Sequence, residues 1–122
     1  MTQEGIRIDK VFIAADVGIA LDPRNIEAQL QSGAIFGLSA AMFGEITFAN
    51  GAVEQKNFHQ YEIIRMKQTP TIQVRILESA TEIRGVGEPG TPPAAPALAN
   101  AIFNATGQRI RALPLSKHIK FV

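Results

Sequence analysis

The run LDPRNIEAQLQSGAIFGLSAAMFG, positions 21–44, commits the chain to one long helix. Asp22 is a good N-cap and Pro23 suits the first helical position, where its missing N–H costs nothing. Ile26, Leu30, Gly33, Gly37 and Ala41 recur every three or four residues and so share a face. Gly44 is a natural stop. The centre of that face is glycine, four residues from glycine. Such a stripe lets another element approach the helix backbone closely, or leaves room for a bulky ligand.

The segments around this helix alternate with a different period. IRIDKVFIAADVG starts as alternating apolar and polar residues and becomes nearly continuous, which predicts a strand that starts at an edge and enters a core. EITFANGAVEQKNF has a strand pattern on both sides of Asn50-Gly51, a strong hairpin signal. KNFHQYEIIRMKQTP reads as an extended connection anchored by Phe58 and Tyr61. TIQVRILES sets Ile72, Val74 and Ile76 against Gln73, Arg75 and Leu77, the period of a half-buried strand. TPPAAPALANAIFNATG predicts a second helix, with Thr91 as cap, Pro92 in the first turn and Gly107 at the end. Its expected buried stripe is Ala95, Leu98, Ala99, Ile102 and Phe103. RIRALPL suits a short edge strand, where Pro114 is allowed. The expected fold is α+β: two helices on a mixed, mainly antiparallel sheet of four or five strands, forming a single domain over 1–122.

Composition excludes several functions. With 122 residues, 46% of them hydrophobic, the chain can bury a real core. A formal charge of +1 argues against a dedicated nucleic-acid binder. No cysteine is present, so disulfides, thiolate ligands and thiol nucleophiles are ruled out. The opening MTQEGIRIDK lacks the apolar core of a signal peptide, and the longest apolar run, GAIFGLSAAMFG, is too short to span a bilayer. A soluble chain is expected. Beyond Glu88 there is no acidic residue, while Arg109, Arg111, Lys117 and Lys120 follow; this reads as a solvated tail before it reads as a surface for an anion.

RGVGEPGTPPAAP, positions 84–96, contains Gly85, Gly87 and Gly90 in a literal G-x-G-x-x-G. A dinucleotide site would need a later acidic residue for the ribose and free N–H donors for the phosphates. No Asp or Glu follows Glu88, and Pro89 removes a donor between the second and third glycines. Two readings remain. One is a flexible turn, with glycine supplying positive φ before a proline-opened helix. The other is a loop that presents Glu88, with small neighbours clearing space for a large ligand. A carboxylate held in a cleft with a raised pKa can serve as a general base.

Four ordered stretches then resemble one family: DVGIALDPRNIEAQLQSG, GLSAAMFGEITFANGAVEQKNFHQYEIIRM, PTIQVRILES and GVGEPGTPPAAPALANAIFNATGQRIRALPL. Together they resemble the C-terminal segment of the molybdenum-binding large subunit of the xanthine oxidase/aldehyde oxidase family, of the isoquinoline 1-oxidoreductase beta-subunit type. The resemblance implies that Glu88, at the glutamate of the family's G-x-G-E loop, lies beside molybdenum and acts as general base. It implies that Gln29, at the glutamine of the family's Q-x-E-G-G pattern, contacts the pterin, although Gln31 and Ser32 depart from that pattern. Gly85 and Gly87 would shape the loop.

The implied reaction is water-dependent hydroxylation of an aromatic N-heterocycle or aldehyde. The implied cofactor is molybdopterin or its cytosine dinucleotide form in the complete enzyme, with none expected in the isolated chain. The implied partners are the remainder of the large subunit and an iron–sulfur small subunit, in the periplasm or the cytoplasm. The chain matches only the terminal part of such a subunit, so alone it is expected to be inactive and, with its apolar surface uncovered, to form a homo-oligomer. The alternative is a non-catalytic module that keeps the fold and binds itself or a partner. His59 reads as a hydrogen-bonding anchor, and Arg65 and Arg84 as ion-pair partners. Asp16 and Asp22 flank Gly18 but bring no second cluster of metal ligands.

Overall fold

The computed structural model describes residues 5–122. The reading of the first ten residues therefore lies partly outside the described residues. Six regular elements follow in order: β1 (Lys10–Asp16), α1 (Pro23–Phe43), β2 (Phe48–Ala49), β3 (Ala52–Val53), β4 (Thr71–Leu77) and α2 (Ala94–Thr106).

Helix α1 forms as its sequence dictates. The Asp22 side chain accepts a hydrogen bond from Asn25 N at 3.2 Å, Pro23 opens the helix, and Gly44 caps it by donating to the Ala40 carbonyl. Its buried face includes Ile26, Leu30, Gly33, Gly37 and Ala41 and widens to Ala34, Leu38, Met42 and Phe43. This face divides the core in two. Leu38, Met42 and Phe43 pack with Leu98 and Ile102 of α2 and with Ile64, Ile110 and Leu115. Ile26 and Leu30 pack with Val17 and receive Ile13, Ala15, Val74 and Ile76 from the strands.

The α+β class with two helices holds, and four strands are present among the described residues, divided between two sheets instead of joined in one. Two separate two-stranded pairs are present among the described residues. The larger pair, β1 with β4, is parallel, from Lys10 opposite Thr71 to Asp16 opposite Leu77. Both strands bury alternate residues, so each lays one face on α1; the intervening helix brings the chain back to start β4 in the same direction as β1. The hairpin is antiparallel, and Asn50 and Gly51 both take positive φ (52° and 76°), as a two-residue hairpin turn requires.

Four local expectations fail. RIRALPL forms no strand, because Ile110 and Leu115 both turn into the core instead of alternating along an edge. Phe58 is 93% exposed and anchors nothing; the connection is fixed instead by buried Ile64, whose N–H donates to Ser39 Oγ at 3.1 Å. Phe103 leaves the α2 stripe and lies under the guanidinium of Arg109, 3.5 Å from its ring centre, leaving Leu98 and Ile102 as the buried pair. Thr91 does not cap α2: its hydroxyl donates to the Gly33 carbonyl on α1 at 3.0 Å. The small-residue stripe explains that last contact.

Candidate functional site

The loop that carries Glu88 is fastened at both ends. At its entry, Asp16 closes β1 and gathers donors from three residues. Its carboxylate accepts from Gly18 N at 3.1 Å, from Ser79 through both hydroxyl and amide, and from Arg84 Nη1 at 3.3 Å. The Ser79 hydroxyl above all, then the two backbone N–H groups and the Arg84 charge, hold the Asp16 carboxyl below the ordinary carboxylate range. Backbone bonds continue the fastening: Arg84 N donates to the Val17 carbonyl and Ile19 N to the Glu82 carbonyl, both at 3.1 Å. Arg84 is thus an ion-pair partner, as expected, and Asp16 holds the loop. Among the described residues, no group of three or more acidic, histidine or cysteine side chains could hold a metal ion.

The depressed Asp16 pKa sets a pH dependence. A carboxyl whose folded pKa lies below its unfolded value contributes stability above the unfolded pKa and loses it as pH falls through the folded one. Stability is therefore expected to drop below the ordinary Asp value of 3.8. In Asp16→Asn that part of the acid-side loss disappears, measured as the slope of unfolding free energy against pH.

At its exit, the loop lies down on α1. A Cβ at Gly90 would come within 2.6 Å of the Leu30 carbonyl oxygen, and one at Gly37 would overlap the Thr91 carbonyl oxygen and approach Ala94 Cβ to 2.7 Å. Close helix–loop packing therefore accounts for Gly33, Gly37 and Gly90. It also seats the loop beside Leu30, the residue after Gln29.

Between these fastenings Val86 packs against the Val17, Ile26 and Leu30 cluster, and the glycines on either side of it are exposed. Gly85 and Gly87 lie outside the left-handed region, so the expectation that they supply positive φ does not hold. A Cβ at either would meet nothing within 4 Å. Neither conformation nor packing among the described residues calls for glycine there. Gly87→Ala is accordingly expected to leave the isolated chain as stable as before, or more stable by about 0.4–1 kcal/mol through a less flexible unfolded state. Thermal unfolding measures this.

Glu88 and Gln29 are both exposed. Neither lines either of the two surface depressions, of about 360 and 480 Å³; Gln31 and Ser32 line the second. The cleft expected around Glu88 is not one of these two depressions. His59 is exposed on a short 3₁₀ turn. The fastening by Asp16, Ser79 and Arg84 escaped sequence reasoning. Its one local signal is an Asp two residues before a glycine at a strand end, and nothing local marks Ser79.

Two parallel strands laid on a long helix, an exposed hairpin, and a second helix that follows a glutamate-bearing glycine loop make up an α+β fold. A family model, the molybdopterin cofactor-binding domain, matches residues 2–70. The chain belongs to that family. It is 37% identical over 114 residues to isoquinoline 1-oxidoreductase subunit beta of Brevundimonas diminuta, covering 93% of this chain and 15% of that protein. It is 36% identical over 110 residues to a protein of Gluconacetobacter polyoxogenes named membrane-bound aldehyde dehydrogenase [pyrroloquinoline-quinone], covering 90% and 14%. The crystal structure of quinoline 2-oxidoreductase from Pseudomonas putida 86 shares the fold, with a TM-score of 0.79 at 22% identity over 89% of this chain and 15% of that one. The chain thus spans about a seventh of the length of these relatives.

The residues present fit a molybdopterin as one wall fits a room. The glycines at 85 and 87 are open among the described residues and Glu88 is an exposed carboxylate, which leaves space for a large group beside it.

Proposed function

We propose that this chain is the C-terminal part of a molybdenum hydroxylase large subunit and forms one wall of its cofactor site. Gly85 and Gly87 carry this reading: two glycines beside an exposed glutamate, with no reason among the described residues to be glycine. The family description and the resemblance to isoquinoline 1-oxidoreductase subunit beta support molybdopterin over the quinone in the second relative's name. When bound, the molybdenum centre supplies the two-electron oxidation that turns substrate C–H and water into C–OH, two protons and two electrons.

The chain's own residues do the rest. Glu88 accepts the proton that the attacking water gives up. Gln29, on the exposed side of α1, hydrogen-bonds the pterin. Gly85 and Gly87 keep the loop thin enough for the group to reach the carboxylate. The fastening by Asp16 and by Gly90 holds the carboxylate still, which general-base catalysis needs. The substrate is an aromatic N-heterocycle or an aldehyde, and the electrons leave through an iron–sulfur subunit. Alone, the chain has one wall and no turnover. Among the described residues, no helix is long and apolar enough to cross a membrane.

Mixing this chain with the remainder of a large subunit and its iron–sulfur subunit tests the reading. Molybdenum-dependent oxidation of an N-heterocycle or aldehyde, absent from either part alone, is the expected result. A second reading, a non-catalytic module that associates with itself, is favoured by exposed Phe36 and Phe48. Under it every mixture stays inactive.

A further inference from the structure

We propose that the free edge of β1 is a strand-addition site, occupied by an extended apolar segment from the remainder of the large subunit. This rests on the reading of the chain as a part of such a subunit. Thr71 N donates to the Asp9 carbonyl and Val17 N to the Leu77 carbonyl, so the odd-numbered residues of this stretch turn their backbone groups toward β4. Backbone groups alternate edges along a strand, so those of Lys10, Phe12 and Ala14 turn the other way. Beyond them the sheet ends, and none of the three makes a backbone bond on that side among the described residues.

A groove runs along this edge. It is lined by every residue from Lys10 to Ala14, facing Pro93, Ala97 and Ala101 of the loop and α2, over a floor that includes Ala34 and Leu38 of α1. Five consecutive strand residues can line one depression only if it follows the strand's edge, since successive side chains point to opposite faces. The groove holds about 360 Å³ and is mostly apolar. Phe12, at its centre, is 71% exposed.

A two-stranded parallel sheet is an unfinished structure; parallel strands occur in larger sheets covered on both faces. This chain spans only 15% of the isoquinoline 1-oxidoreductase subunit, so the missing strand has a source. The groove selects its occupant. One set of alternate side chains must be small or medium aliphatics, to sit over Ala34, Leu38 and Ala97. The other set lies beside Phe12, where a β-branched or aromatic partner packs best. No proline fits where an N–H must reach β1. Lys10 at the edge discourages indiscriminate pairing. Gly90 and Pro93 belong to the same groove, so the added strand also buttresses the loop that carries Glu88.

The test follows single-residue amide exchange by NMR in this chain, free and mixed with a purified polypeptide comprising the rest of a large subunit. Slowed exchange at Lys10, Phe12 and Ala14 in the complex, with Val11 and Ile13 already protected in the free chain, is the expected result. Phe12→Glu is expected to weaken the association by about tenfold or more, since it drives a charge into an apolar contact. Retained protection at Val11 and Ile13 shows that this variant still folds. The proposal is overturned if no complex forms, if a complex leaves the three amides exchanging as before, or if they are protected by self-association of the free chain instead. A protected complex that oxidises no substrate keeps the docking site and removes the catalytic reading.

Discussion

Glutamine in place of Glu88 is expected to lower the turnover of an assembled enzyme by about 10²–10⁴-fold, the range set by loss of a positioned general base. The fold should not notice. The Glu88 side chain is exposed and makes no hydrogen bond or ion pair among the described residues. Its part in the loop is played by the backbone, whose carbonyl accepts from Thr91 N at 2.9 Å. Glutamine keeps that backbone and nearly the same shape but cannot take a proton. The loss should therefore fall on kcat and on kcat/KM alike, because a base acts in the transition state and not in substrate binding. Steady-state kinetics of the two enzymes, with thermal unfolding of the two chains, separate the effects. Unchanged turnover would remove Glu88 from the chemistry. A change in unfolding free energy beyond about 0.5 kcal/mol, the usual span for a surface change, would show that the carboxylate has a structural role instead.

Gly18→Ala is expected to cost the isolated chain about 2–4 kcal/mol: about 1–2 for an alanine held in the left-handed region, and more because the added carbon has no space. Gly18 sits at φ 73°, and a Cβ there would overlap the Glu82 carbonyl oxygen. That oxygen belongs to backbone and accepts from Ile19 N, so it cannot swing aside as a flexible side chain could. Relief requires the 78–84 segment to lift from the turn after β1. Lifting breaks the Gly18–Ile83 bridge and draws Ser79 and Arg84 away from Asp16. In an assembled enzyme the loop carrying Glu88 would then lose its entry fastening, and turnover should fall although Gly18 touches no substrate. Urea unfolding measures the first effect. A cost under about 0.5 kcal/mol, ordinary for a surface position, would mean that this junction is looser than its geometry implies.

Some of this was legible in advance. Where the physics is local, sequence reasoning succeeded: the α1 cap and stop, its buried face, the Asn50-Gly51 turn and the Ile72, Val74 and Ile76 alternation are all present. It failed where a residue had a distant partner to choose. Thr91 has the chemistry of a cap, yet it reaches the Gly33 carbonyl, 58 positions away, because two glycines open that surface. Phe103 has the period of the core, yet it stacks under Arg109. The site divides in the same way. Glu88 stood out from its glycine neighbours, while the Asp16–Ser79 bond joins residues 63 apart and left no mark on either segment.

The amino-acid order by itself determined the two helices, the strand periods, the hairpin turn and the glutamate set among glycines. Each depends on residues a few positions apart, whose energies are settled before the chain folds back on itself. Only the tertiary structure decided that β1 and β4 run parallel, that Asp16 holds the far end of the glycine loop, and that this loop lies against the glycines at the centre of α1. Those outcomes depend on which distant segments come to share a surface, and packing around α1 makes that choice.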